Sequence, residues 1–238
     1  MVAKFENIYH RVMNNKNISS GDIHNANEII AYIKEHDCKE FIDSWNIMLK
    51  YQWSSHVLKR LDRLGLLEWF LPDVAVLKSI SQNKRKTVDA LQHTLKVLNE
   101  ADKRDLSLLI KWAAIFHDIG KAHCENNFHY HEYKSEFMID GILDKFPVVR
   151  GENRLKLYKL VRYHMWPLGY QRNQNYTDKT IENFIKKISD INLCIDIVDL
   201  AICDKLATHN RQEYISPLLE LKSKIWDIHE RTKTVQTA

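Results

Sequence analysis

The chain has 238 residues, of which 45% are hydrophobic and 28% are charged, the balance of an ordinary globular protein. It contains only 6 glycines and 4 prolines, which argues against many-stranded folds because their turns use these residues. The net charge of +4 does not by itself indicate nucleic-acid binding, although it suits an anionic, phosphate-bearing ligand.

The amino-terminal residues and the cysteines give no sign of export. Residues 1–10 contain Lys4 and Glu6 without an apolar run, and the four cysteines show no CxxC spacing. Lys111 and Asp118 interrupt the most apolar segment, so no stretch approaches a membrane span. We therefore expect a cytoplasmic protein with reduced thiols and no membrane partner.

The first part of the chain predicts a small helical region. Leucines recur at every third position within residues 57–70, and Pro72 ends that pattern. The stretch 78–86, KSISQNKRK, is polar and basic with no apolar period. We place the boundary there, between an N-terminal helical region (1–80) and a second domain (81–238).

The second domain predicts longer helices and an all-α bundle. Residues 106–119, LSLLIKWAAIFHDI, are apolar nearly all round, which indicates a helix buried at the centre, and Gly120 is well placed to end it. The other helices are predicted at about 88–98, 131–146, 153–166, 192–210 and 218–230.

Two ligand-type side chains stand at the end of the most apolar helix. Burying the carboxylate of Asp118 without a partner costs several kcal/mol, and a divalent cation held with the imidazole of His117 compensates that cost. The alternative is an ordinary helix end in which Asp118 pairs with Lys121.

Other helices each present one histidine or aspartate on an apolar face. Asp204 shares a face with Leu200 and Ala201, although a pair with Lys205 or a bond to His209 is the plainer alternative. The histidines that interrupt apolar faces in this way are His93, His131 and His164. Convergence of such residues predicts a metal site of the kind built inside helical bundles.

Imidazole and carboxylate ligands suit Mn, Fe, Co, Ni or Zn, and they tolerate Mg when few histidines bind. Such a cation acidifies a bound water and polarises a phosphoryl oxygen. The predicted chemistry is therefore hydrolysis of a phosphoester with one or two divalent metal ions.

The order of these residues resembles the HD-domain phosphohydrolase superfamily. The narrower pattern is similar to the HD domains of bacterial tRNA nucleotidyltransferases, over about residues 55–225. The segments that carry the likeness are LDRLGLLEWFLPDV (61–74), LQHTLKVL (91–98), HDIGK (117–121), HYHEYKS (129–135), LVRYHMWP (160–167) and DLAICDKLA (199–207). Residues 1–55 offer no paired-aspartate strand and no glycine-rich nucleotide motif, so nucleotide addition to RNA is not expected.

The resemblance implies a role for each residue of the pattern. It assigns metal binding to four residues: His93, His117, Asp118 and Asp204. His131 and His164 match in order the histidines that bind a second metal in dinuclear members, or they contact the substrate. Asp118 would also orient the attacking water, and Lys121 would neutralise phosphate charge in the transition state. For His93, an ordinary core histidine is the alternative.

Three further residues are predicted to touch the substrate. Arg162 belongs to a basic run close to His164, and its default interpretation is a solvated face. Tyr170 and Arg172 fall in a segment, PLGYQRNQNY, that we predict to be a loop able to close over a base and a phosphate.

The resemblance implies phosphatase, nucleotidase or 2′,3′-cyclic phosphodiesterase activity on a nucleotide or another phosphorylated small molecule, with an RNA end as a possible substrate. One alternative is a helical module that binds RNA through its basic run without hydrolysis. Another is hydrolysis of a signalling dinucleotide or of a deoxynucleoside triphosphate. The sequence does not distinguish among these, and it does not predict the oligomeric state.

Overall fold

A computed structural model describes residues 1–14, 17–82, 87–125, 128–172, 176–209 and 212–236. Within these ranges the chain forms α-helices, short 3₁₀ turns and no strand, which confirms the predicted all-α class. None of the helices in this part of the chain is long and apolar enough to cross a membrane. The helices are α1 (Val2–Met13), α2 (Ser20–Glu35), α3 (Ile42–Lys50), α4 (Ser54–Arg63), α5 (Leu67–Phe70), α6 (Pro72–Ala75), α7 (Ala90–Lys103), α8 (Leu108–Phe116), α9 (His131–Lys145), α10 (Glu152–Tyr163), α11 (Met165–Arg172), α12 (Asp178–Ile188), α13 (Ile191–His209) and α14 (Ser216–Gln236).

Helices α8 and α13 form the centre of the bundle. Every residue of α8 from Ile110 to Phe116 is buried, as expected for a helix without a polar face. Helix α13 packs against α7, α8, α10, α11, α12 and α14. Helices α7 and α10 also pack against α8, so side chains from α7, α10 and α13 can meet beside it.

Side-chain caps determine where the helices that carry candidate ligands begin. Asp89 accepts a hydrogen bond from the backbone N–H of Gln92 at 2.7 Å at the start of α7. Ser107 accepts one from Ile110 at 3.3 Å at the start of α8. Because these caps satisfy N–H groups that have no partner within the helix, they define its first turn.

The carboxyl end of α8 differs from the prediction. The helix ends at Phe116 rather than continuing to residue 119, and a 3₁₀ turn covers Ile119–His123. His117 and Asp118 therefore lie in the transition between the helix and this turn, where the backbone changes direction.

The loop predicted for residues 167–176 is wrong over its first part. Helix α11 includes Pro167 near its start, where a missing N–H costs nothing because those groups have no partner within the helix. Tyr170 and Arg172 consequently lie on a helix. The stretch 173–175 lies outside the described residues.

The N-terminal helices share a core with the rest of the chain. The rings of Trp45 and Trp112 lie 5.9 Å apart, and Trp112 Nε1 donates to Asn46 Oδ1 at 2.9 Å. Asn46 in turn donates to the backbone O of Val148 at 3.0 Å. The domain boundary near residue 80 stays a prediction, and residues 83–86 of that segment lie outside the described ranges.

A buried ion pair connects the two parts of the bundle. Lys111 Nζ lies 2.9 Å from Asp102 Oδ1, and both side chains are at most 2% exposed. Ser54 Oγ and the backbone N–H of Ser55 donate to the same carboxylate at 2.6 and 3.0 Å. Lys111 also donates to the backbone O of Tyr51 at 3.1 Å. These contacts join the start of α4 to α7 and α8.

We expect Lys111→Met to lower the free energy of unfolding by roughly 3–5 kcal/mol, because it leaves the Asp102 carboxylate buried without its counter-ion. Lys103→Met is the matched control, since Lys103 pairs with Glu100 while its side chain stays 58% exposed; we expect a loss of at most about 1 kcal/mol. Urea unfolding measures both. Equal losses would contradict the role given to the buried pair.

Candidate metal centre

The turn that carries His117 and Asp118 is held by α9. Ser135 Oγ donates to the backbone O of His117 at 2.9 Å and accepts the N–H of Gly120 at 2.8 Å. All four residues are buried. A Cβ at Gly120 would overlap the backbone of His131 and Ser135. Glycine therefore allows α9 to approach the turn closely, and this approach brings His131 next to Asp118.

Three imidazoles are oriented in the same way. In each ring, Nδ1 donates to a backbone oxygen three residues earlier. In the neutral ring, Nε2 is then unprotonated and carries a free lone pair. The donor–acceptor pairs are His117–Ala114 at 2.8 Å, His131–Phe128 at 2.8 Å and His164–Val161 at 2.7 Å. This arrangement prepares Nε2 of each ring to be a metal ligand.

The first group of candidate ligands surrounds one oxygen of Asp118. Asp118 Oδ2 lies 3.2 Å from His117 Nε2 and 3.8 Å from His93 Nε2. His93 Nε2 lies 2.8 Å from Asp204 Oδ1. The buried His117 Nε2 has no hydrogen-bond partner, so in the neutral ring its lone pair would be available to a cation.

The second group surrounds the other oxygen of the same carboxylate. Asp118 Oδ1 lies 3.2 Å from His131 Nε2, and His131 Nε2 lies 3.2 Å from His164 Nε2. Two lone pairs facing each other at this distance repel unless a proton or a cation lies between them.

Both groups fit a divalent cation. The ligand atoms of His93, His117 and Asp118 all lie within 4.8 Å of one another, and so do those of Asp118, His131 and His164. Ligands about 2.1 Å from one ion lie about 3.0–3.4 Å apart, close to the separations observed. All six positions are buried except Asp204, whose side chain is 14% exposed.

Charge inside the cluster shifts the pKa values. Burial disfavours the charged carboxylate, but the charges of His117 and Lys121 outweigh it and hold the pKa of Asp118 well below its usual range. Burial acts to lower the pKa of His117, whereas Asp118 raises it, and the net shift is upward. Burial, with the positive charge of His117 and His131, lowers the pKa of His164 to about 3. His164 is therefore neutral near pH 7 and keeps its lone pair.

A cleft of about 500 Å³ opens onto the cluster. Of the residues predicted from sequence, it is lined by Asp118, Lys121, His131, Arg172 and Asp204. His93, His117 and His164 lie behind them in the interior. The structure thus brings all the predicted metal ligands and Lys121 together at one end of α8.

Arg162 and Tyr170 are not brought to the cleft. Arg162 lies over the ring of Tyr133 and 3.4 Å from Glu136. The hydroxyl of Tyr170 donates to Glu220 at 3.3 Å and accepts from Lys224 at 3.0 Å on α14. The substrate role predicted for these two residues gains no support from their positions.

The cleft also contains two residues to which the sequence assigned no role toward a substrate, Gln82 and Lys205. Lys121 Nζ lies 2.5 Å from Asp118 Oδ2 and donates to Gln82 Oε1 at 2.9 Å. Gln82 lies in the aperiodic segment before α7, so no pattern marked it. Lys205 follows Asp204 directly, and that position was the only available signal. Burial and the charge of Arg172 lower the pKa of Lys205.

Comparison with known proteins gives two findings. The family model described as the HD domain matches residues 90–208, which is half of the chain. The chain is also similar to the A-adding tRNA nucleotidyltransferase of Deinococcus radiodurans, with 25% identity over 175 residues. That match includes 69% of this chain but only 38% of the length of the relative.

We expect Gly120→Ala to lower the free energy of unfolding by about 1–3 kcal/mol, because α9 must move away from the turn to admit the methyl group. Gly141→Ala, within α9, is the control, since a Cβ at Gly141 has nothing within 4 Å. There alanine should raise the free energy of unfolding by up to about 1 kcal/mol. Urea unfolding of both variants is the measurement. A neutral effect at Gly120 would show that the close approach is not required.

Proposed function

The chain belongs to the HD domain family, which is part of a superfamily of metal-dependent phosphohydrolases. From this premise we propose that it hydrolyses a phosphoester of a nucleotide. The reaction would be that of a phosphatase or nucleotidase, or of a 2′,3′-cyclic phosphodiesterase. The observation that carries the proposal is the Asp118 carboxylate, whose two oxygens face two separate groups of imidazole nitrogens.

In this proposal each of the two groups of candidate ligands would hold one metal ion. One ion would be held by His93, His117, Asp118 and Asp204. The other would be held by Asp118, His131 and His164. Asp118 belongs to both groups, and the charge of the bound ions would offset the cost of burying both carboxylates.

The plainer interpretation of Asp118 is its ion pair with Lys121, which is present at 2.5 Å. This pair accounts for the charge of the carboxylate. It does not account for the unsatisfied Nε2 of His117, nor for the facing Nε2 atoms of His131 and His164 at 3.2 Å. A cation accounts for all three, and this favours the metal site.

Divalent ions bound here would acidify a water molecule and polarise a phosphoryl oxygen. The protein supplies the surrounding chemistry. Asp118 orients the nucleophile from the floor of the cleft, and Lys121, held by Gln82, places a positive charge where negative charge develops on the phosphoryl group. The buried histidines exclude bulk water, which strengthens these electrostatic interactions.

The substrate class includes the end of an RNA chain. The relative is named for its action on tRNA, and the part that matches this chain is only 38% of its length. We therefore include the terminal or cyclic phosphate of an RNA among the candidate substrates, together with free nucleotides.

We expect the purified protein to release phosphate from a nucleotide, or to open a 2′,3′-cyclic nucleotide, in the presence of Mn, Co, Ni or Mg. Asp118→Ala should reduce kcat by at least about a hundredfold, because it removes a ligand shared by both ions. Asp144→Ala is the matched control, because Asp144 is an exposed aspartate paired with Arg154. Phosphate release and chromatography of the products measure the rates.

Turnover by Asp118→Ala at the wild-type rate would contradict the proposed function. Salt-sensitive RNA binding without turnover of any nucleotide would favour the alternative of an RNA-binding module. Circular dichroism of Asp118→Ala establishes that a loss of activity is not a loss of folding.

We also expect elemental analysis to find two metal ions per chain in the wild type. The double variant His131→Ala/His164→Ala should retain one, because the ligands of the other ion remain. The matched control is His123→Ala/His129→Ala, which removes two exposed histidines of the same region and should retain two. An identical metal content in all three proteins would refute the assignment of the second ion.

A further inference from the structure

Two cations meet at the cleft above the candidate metal centre. Arg172 comes from the last turn of α11, and Lys205 comes from α13, one residue after Asp204. Neither makes an ion pair with a carboxylate anywhere in the described part of the chain. Lys205 Nζ lies over the ring of Tyr214, 5.7 Å from the ring centroid.

The carboxylates of the cleft are already occupied by other groups. Asp118 contacts Lys121 at 2.5 Å and His131 at 3.2 Å. Asp204 contacts His93 at 2.8 Å. Glu132 lies 3.6 Å from His131 Nδ1. Two like charges in one cleft repel each other, and a bound anion would relieve that repulsion, so Arg172 and Lys205 suit an anionic ligand group.

The cleft has room for more than an inorganic phosphate. Its volume of about 500 Å³ is in the range of small-molecule sites. Phe128, Met165 and Leu168 supply an apolar wall suited to a base or sugar. Because Asp118, Asp204, Arg172 and Lys205 all line this cleft, a nucleotide bound in it would meet both the metal cluster and the two cations.

We propose that Arg172 and Lys205 bind a second phosphate group of the substrate, so that the preferred substrate is a nucleotide unit carrying two separate phosphates. This inference rests on the proposed function, in which the metal cluster and Lys121 take the phosphate that is hydrolysed. The second phosphate could be a 5′-phosphate of a free nucleotide or the phosphodiester that precedes the end of an RNA chain. Both present the same anion to the two cations.

Three substrates separate these cases: adenosine 3′-monophosphate, adenosine 3′,5′-bisphosphate and a trinucleotide with a 3′-phosphate. We expect the wild type to favour the bisphosphate or the trinucleotide over the monophosphate by about tenfold or more in kcat/KM, because charge-assisted hydrogen bonds are strong. Preference for the bisphosphate indicates a free nucleotide, and preference for the trinucleotide indicates an RNA end.

The test variant is Arg172→Gln/Lys205→Gln, which should reduce this preference about tenfold, mainly through KM. The matched control, Arg63→Gln/Lys96→Gln, removes the same charge from an exposed groove between α4 and α7 and should keep the preference. An equal loss of kcat/KM on all three substrates would overturn the proposal, since the cations would then act on the hydrolysed phosphate. An unchanged preference would overturn it as well.

Calorimetric binding separates this proposal from the proposed function. Should no substrate be turned over, the function fails. Tighter binding of the bisphosphate than of the monophosphate by the wild type, lost in Arg172→Gln/Lys205→Gln, would still support the second phosphate site. Equal binding of both nucleotides would overturn it.

Discussion

The structure depends on one constraint: a fully buried carboxylate, Asp118, must be surrounded by positive charge. A lone carboxylate at the end of an apolar helix is too costly to persist. The chain meets this constraint by placing Lys121 one turn away and by directing the Nε2 atoms of neighbouring helices toward both oxygens. Helices α7, α9 and α13 and the end of α10 all bring a side chain to the turn that follows α8.

The same constraint explains how much of the site the sequence could predict. His93, His131, His164 and Asp204 each stood out as a polar residue on an apolar helix face. The structure brings the three histidines close to Asp118 and brings Asp204 to His93. A residue that breaks a hydrophobic pattern has a physical reason to do so, and this reason can be read without a structure. Whether these side chains bind metal stays a prediction.

Residues that line the cleft were harder to predict, because exposed polar side chains do not interrupt a hydrophobic pattern in the sequence. Arg162 was expected near the substrate, but Glu136 and Tyr133 engage it instead. Gln82 was not expected, although it holds Lys121. The partners of long polar side chains depend on the packing of distant helices. The loop predicted from Pro167 was wrong for another reason. A proline can end one helix or lie in the first turn of the next, and the local sequence does not distinguish these two positions.

The buried and the exposed parts of the site have different tasks. The inner histidines are held by backbone oxygens and contacts within the core, so their geometry is preorganised and indifferent to the rest of the substrate. Discrimination has to come from groups that a substrate meets before it reaches the cluster. Arg172 and Lys205 lie on two different helices, so either could be exchanged without disturbing the inner ligands. Under the proposal that Arg172 and Lys205 bind a second phosphate, one inner centre could serve substrates that differ in charge and size, because the groups that select among them would lie at the entrance of the cleft.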